Sequence, residues 1–474
     1  MTLEILIGTA VFLPLALVLF VVARRIPMFT WVHAAFFMTF IPFLELLHLV
    51  SHNDTKAFQL DLYAISYIVM AIYLLVFVFV SNTLVRFLPT DNTVIQMVMG
   101  VSDKALSGIF LAWVIQKAYL GVKYGLLGFG MLRASVEGVN EFRLDFLDTL
   151  LSVYMTHFAI GACVVFVVKA VVLKRRPTSM QFLPFILFAL PYLVLGEAGI
   201  GARRFILLLG LIGGAAAIWQ NGGNERGSWK YRMLVGSAAV VLALSFSIYF
   251  QSVRHNINDM EIASMISSTE LAEVGRGVGL AMIPASDEGV EQEGASMLRE
   301  SPFELIYDLI EKQFETGATT KGAITASSFE MIIPYIFAGP EKTSINVDRI
   351  LVDELGIVPA DGDITNVDIG SSVLVIFMAD YGPIGMFLAP LFMVSAICGV
   401  LGCLRWIKMT TPLILLAISI LFQISGNVEG DLLAVLTPIR ELCAGIIVLG
   451  GADRGFSALK STLLRQETIA PLNR

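Results

Sequence analysis

The sequence predicts an all-α polytopic membrane protein of about eleven transmembrane helices, and three observations carry that prediction. Hydrophobic residues fill 56% of 474 positions against 15% charged, and mean hydropathy is +0.78, well beyond the apolar share of an ordinary soluble domain. Apolar runs of roughly 17 to 25 residues recur, long enough as helix to cross about 30 Å of hydrocarbon, and they lack the period-two alternation of a barrel strand. Basic clusters fall on alternate connections, as a single topology requires.

The runs lie at 3–23, 29–50, 62–86, 105–122, 147–173, 181–200, 204–219, 233–251, 383–404, 411–426 and 434–451. The first has no basic segment before it and no clear small-residue cleavage site ahead of Arg24-Arg25, so it reads as a retained helix. Arg24-Arg25, Arg86, Lys174-Arg175-Arg176, Arg226 with Lys230 and Arg232, Arg405 with Lys408, and Arg454 with Lys460 share one side. The bias in Lys and Arg assigns that side to the cytoplasm, leaving the amino terminus outside and the carboxy terminus inside. Arg203-Arg204 and Arg440 break the rule by lying at or just below the outer face, and such arginines invite a functional explanation.

Three parts follow: the first eight spans over 1–251, a long outer loop over 252–382, and the last three spans with a cytoplasmic tail over 383–474. The net charge of −7 hides a division, because Ser252 to Gly370 holds 21 acidic against 7 basic residues and leaves the remainder near +7. An acidic outer loop on a basic membrane domain argues against nucleic acid as a partner; the bilayer is the expected one. The loop is not a linker. Phe303, Leu305, Ile306, Leu309 and Ile310 recur at helical spacing, Ser301-Pro302 with Glu304 resembles a helix start, and Phe329 to Phe337 is strongly apolar. It is expected to fold against the membrane domain. Pro334 and Gly339-Pro340 break later turns, and Asp361-Gly362-Asp363 reads as a turn despite its likeness to a sugar-nucleotide metal motif.

Cys163, Cys398, Cys403 and Cys443 have no paired spacing and read as small apolar packing residues. No Walker loop, nucleotide fingerprint, haem motif or zinc spacing occurs, so neither a cofactor nor a metal is expected. No internal repeat of the kind built into inverted-repeat transporters is present.

Two clusters carry candidate chemistry. Gly196 to Arg204 is a glycine-rich stretch ending in Arg203 and Arg204, whose planar guanidinium groups match phosphate oxygens at headgroup depth; snorkelling to lipid headgroups is the alternative. Asn427-Val428-Glu429-Gly430-Asp431 sets two carboxylates at a span entrance, with Arg440-Glu441 about two turns further in. Charges there must face a cavity or each other, and an internal Arg440–Glu441 pair that merely orients helices is the plainer reading. In the loop, Arg254, Arg276, Arg299 and Arg349 stand against an acidic background and suit sugar hydroxyls or phosphate, although pairing with a neighbouring carboxylate is commoner. His255 is a candidate acid or base, although a lone interfacial His is more often structural, while His33, His48 and His157 lie in apolar spans and read as hydrogen-bonded packing residues.

In arrangement, 190–445 resembles the Wzy-type polymerases of bacterial surface polysaccharide. The likeness rests on Gly201-Ala202-Arg203, the long late loop, the stretch Ile332 to Pro340, and Asp368-Ile369-Gly370-Ser371-Ser372. It continues through Asp380 to Gly385, Glu429-Gly430-Asp431 and Arg440. It implies a GT-C-like membrane glycosyltransferase of the bacterial inner membrane, acting at the periplasmic face on undecaprenyl-diphosphate-linked oligosaccharides as donor and acceptor. Arg203 is implied as a contact to the carrier phosphate, with Arg440 and Arg254 or Arg299 as further anion contacts, and Glu429, Asp431 or Glu441 as the base. A chain-length regulator and a flippase are candidate partners. An O-antigen ligase or other lipid-linked glycosyltransferase, or a lipid-oligosaccharide flippase, is the alternative.

Overall fold

The computed structural model describes residues 26–51, 59–84, 87, 91–124, 145–173, 183–186, 202–220, 302–333, 372–406, 410–428, 430 and 432–449, with parts of 6–19 and 350–357. Among them the chain is helical and forms no strand. Four helical stretches are long and apolar enough to cross a membrane, Leu60–Leu84, Phe146–Val172, Val373–Arg405 and Leu432–Leu449, and a bent pair makes a fifth. The chain is thus a helical membrane protein. Of the expected spans, 233–251 and nearly all of 181–200 lie outside the described residues.

In chain order the helices are α1 (Met28–Ser51), α2 (Leu60–Leu84), α3 (Asp91–Gly100), α4 (Asp103–Tyr124), α5 (Phe146–Leu173) and α6 (Ala202–Gln220). They continue as α7 (Pro302–Thr316), α8 (Ala323–Ile332), α9 (Val373–Tyr381), α10 (Gly385–Trp406), α11 (Thr411–Ser425) and α12 (Leu432–Leu449).

Helix α11 is the centre. Eleven of its fifteen residues are buried, as befits a helix apolar all round and covered by α1, α5 and α10. Its closest neighbour is α5, where a Cβ on Gly161 would overlap the Leu415 carbonyl; only a glycine permits that approach. His33 ties α1 to two other helices. Its Nδ1 lies 3.1 Å from the Ser425 carbonyl, which can only accept, so Nδ1 donates and Nε2 accepts from the Tyr73 hydroxyl at 2.9 Å.

The apolar run at 105–122 lies within α4, and the structure adds a second helix before it. Helix α3 precedes α4 and meets it at a 75° bend. Ser102 Oγ accepts from the Ala105 amide at 3.2 Å and caps α4, while Lys169 donates to the Val101 carbonyl at 2.8 Å and pairs with Asp103. Those groups satisfy backbone atoms that the break would otherwise orphan.

The loop helices pack on the membrane helices and on one another. On α7, Phe303 sits between the Tyr63 and Tyr67 rings of α2, with centroids 4.8 and 4.7 Å away. Tyr307 accepts from the Gln59 amide at 3.0 Å, and Gln313 donates to the Met378 carbonyl of α9 at 2.7 Å. Asp380, at the end of α9, accepts from the Ile324 and Thr325 amides at 3.1 and 2.7 Å and from the Thr320 and Thr325 hydroxyls, so it caps α8 from outside that helix. The chain then turns sharply within the stretch Val373–Arg405. A Cβ on Gly385 would strike the Phe377 carbonyl, eight residues back, whereas eight residues of straight helix span about 12 Å. Gly382, at φ +61°, takes the backbone through the turn.

Candidate functional site

A cavity of about 640 Å³ opens between α4, α5, α11 and α12, lined by Lys117, Thr156, His157, Gln423, Thr437 and Glu441 among others. Helical periodicity explains why these residues meet. Ser152, Val153, Thr156 and His157 occupy one stripe of α5, and Leu433, Ala434, Thr437, Pro438 and Glu441 occupy one stripe of α12. Close approach of α12 is allowed by Gly445, where a Cβ would press on Leu416 and lie 3.5 Å from the Tyr154 ring.

On the cavity wall, His157 is buried and pairs with the half-buried Glu441, with Nε2 2.5 Å from Oε2. The other ring nitrogen, Nδ1, receives the Gln423 amide at 2.9 Å and lies 3.2 Å from Ser419 Oγ. An amide nitrogen only donates, so Nδ1 accepts and Nε2 carries the proton directed at the carboxylate. Tyr154 donates to the Glu441 backbone carbonyl at 3.1 Å, and Arg440 stands 3.7 Å from Glu441 Oε1. Arg440 also donates to the Ile332 carbonyl at 3.4 Å, which joins the end of α8 to the rim of the site. Lys117 stacks over the Trp113 ring at 5.5 Å, and Trp113 donates to Thr156 at 3.4 Å.

Of the residues singled out from sequence, the structure brings together Arg440 and Glu441. Arg203 and Arg204 fall in the first turn of α6, but their side chains lie outside the described residues. Glu429, Asp431, Arg254, Arg276, Arg299, Arg349 and His255 also lie outside them. Among the described residues no group of three or more His, Cys, Asp or Glu side chains could hold a metal ion.

His157 is buried and hydrogen-bonded, as its apolar span predicts, and the structure also sets it on a cavity wall with Lys117 and Gln423, which the sequence does not single out. The available signal was an ionisable residue inside a predicted span: Lys117 lies in the run at 105–122 and His157 in the run at 147–173. No family model, curated protein or solved structure matches the chain.

Proposed function

We propose that the chain is a glycosyltransferase that polymerises undecaprenyl-diphosphate-linked oligosaccharide repeat units at the periplasmic face of the bacterial inner membrane. The observation that supports it best is the cavity where Glu441, paired with His157, stands beside Arg440 and Lys117. A carboxylate can accept the proton of an attacking sugar hydroxyl, and fixed cations can offset the charge that builds on a departing lipid diphosphate. Such a leaving group demands mainly positioning and charge stabilisation, so a metal-independent reaction is consistent with the residues named.

In this reading the chain crosses the membrane about eleven times in a GT-C-like arrangement, with the amino terminus periplasmic. Arg203 and Arg204 hold the carrier phosphate, Arg254, Arg276 and Arg299 reach from the loop, and Glu429 or Asp431 is the alternative base at the entrance to α12. A chain-length regulator and a flippase are the expected partners. Purified protein given lipid-linked repeat units of its host is expected to yield a ladder of longer lipid-linked glycans, diminished at least tenfold by Arg440→Ala. Transfer of one block to lipid A core without a ladder would instead identify a ligase.

A second reading has its own support. Glu441 lies about midway along α12 and pairs with a residue on α5, and ionisable pairs inside a bundle mark translocation paths as well as reaction sites. Movement of labelled lipid-linked oligosaccharide across sealed proteoliposomes, with no change in glycan length, would favour that flippase reading.

A further inference from the structure

We propose, building on the glycosyltransferase reading, that Glu441 is the base for the acceptor sugar and that His157, held by Gln423 and Ser419, is its positioning residue. Each atom of the pair is accounted for. His157 Nδ1 is occupied by Gln423 at 2.9 Å with Ser419 Oγ at 3.2 Å, which directs Nε2–H at Glu441 Oε2. One carboxylate oxygen is thereby fixed, and the other, Oε1, has Arg440 at 3.7 Å, beyond hydrogen-bond length, which leaves room for an incoming hydroxyl. Among the described residues, the charged and titratable groups around the pair are Lys117 from α4, Tyr154 from α5 and Arg440 from α12, and α11 contributes the neutral Ser419 and Gln423.

A simple tie between α5 and α12 needs only the contact from Nε2 to Oε2. Here the far ring nitrogen is also fixed, and both partners line a cavity whose walls carry the hydroxyls of Ser152, Thr156 and Thr437. Hydroxyl, amide and carboxylate groups over an apolar wall suit the hydroxyls and CH faces of a sugar. In the step itself, the acceptor O–H bond breaks and its proton passes to Glu441. The freed oxygen pair forms the new bond to the donor's anomeric carbon, whose bond to diphosphate oxygen breaks with the electron pair leaving on the diphosphate. His157 keeps its proton throughout and holds the carboxylate plane.

The test compares wild type, Glu441→Gln, His157→Ala and His157→Gln in the elongation assay, alongside infrared difference spectra that isolate the Glu441 carboxylate stretch by subtracting Glu441→Gln. His157→Ala is expected to lower kcat about 100-fold with KM within about two-fold, and His157→Gln, which retains an N–H donor, to recover to within about ten-fold of wild type. The carboxylate stretch of Glu441 is expected to shift in His157→Ala, since the hydrogen bond from Nε2 to Oε2 is lost. Wild-type kcat in His157→Ala, or an unmoved stretch, overturns the proposal. If wild type elongates nothing while the stretch still moves, the pairing stands but the base role and the polymerase reading fall together. Should His157→Ala not fold, Gln423→Leu replaces it, with an expected kcat loss of about ten-fold and the same spectral criterion.

Discussion

Asp380 and Lys123 both pair with polar partners, yet their surroundings give those contacts different weights. Asp380 is 1% exposed and accepts four hydrogen bonds from the start of α8; Lys123 is 36% exposed and pairs with Asp145 and Asp148 at 2.8 and 2.6 Å. Removing a buried charged acceptor strands its donors, so Asp380→Ala is expected to cost about 3 kcal/mol and Asp380→Asn, which keeps one acceptor oxygen, less. The contact from Lys123 to the exposed Asp145 is screened, so Asp145→Ala should cost under about 1 kcal/mol. Denaturant unfolding in micelles checks the order, and equal losses in Asp380→Ala and Asp145→Ala would refute it. Legibility follows the same physics. Arg440 and Glu441 were visible in sequence because charges in an apolar run are expensive. The role of His157 was not, because its partner lies 284 residues away and no local pattern records which helices meet.

At the scale of elements, the α5–α11 contact sets the geometry of the site. Gly161 touches the Leu415 backbone, His157 is one turn before Gly161, and Ser419 is one turn after Leu415, so the two contacts share one interface. Gly161→Ala forces the helices apart. It is expected to cost about 1–3 kcal/mol through overpacking and to lower elongation more than it lowers stability at working temperature, because the Ser419 and Gln423 contacts to His157 lengthen. Gly108→Ala in α4 is the control: its Cβ would meet nothing within 4 Å, so it is expected to be neutral or to stabilise by about 0.5–1 kcal/mol. Parallel melting and activity measurements on the two variants decide, and a harmless Gly161→Ala would defeat the argument. Periodicity and apolar length placed most helices within two or three residues, as for α1, α5, α10 and α11. They did not show the α3–α4 bend or the sharp turn after α9, which depend on Lys169 reaching Asp103 and on Gly385 meeting Phe377, contacts made only in the folded bundle.

The whole molecule carries its own ruler for the membrane. One belt, Asp103 with Lys169, closes one end of the α4–α5 pair, and another, Lys123 with Asp145 and Asp148, closes the other. From Asp103 to Lys123, helix rise amounts to about 30 Å, the thickness of the hydrocarbon layer. By helix rise His157 lies about 13 Å from Asp148 along α5, inside the apolar stretch Phe146–Val172. The basic run Lys174-Arg175-Arg176 follows the Lys169 end of α5, and the bias of Lys and Arg predicts that belt on the cytoplasmic side and the Lys123 belt on the outer side. In a background without native cysteines, Asp145→Cys is therefore expected to react with a membrane-impermeant maleimide added to intact spheroplasts, and Lys104→Cys only after the membrane is opened. Both positions are exposed, so accessibility is decided by the bilayer and not by packing. The reverse pattern would invert the topology and count against a site served from the periplasmic side.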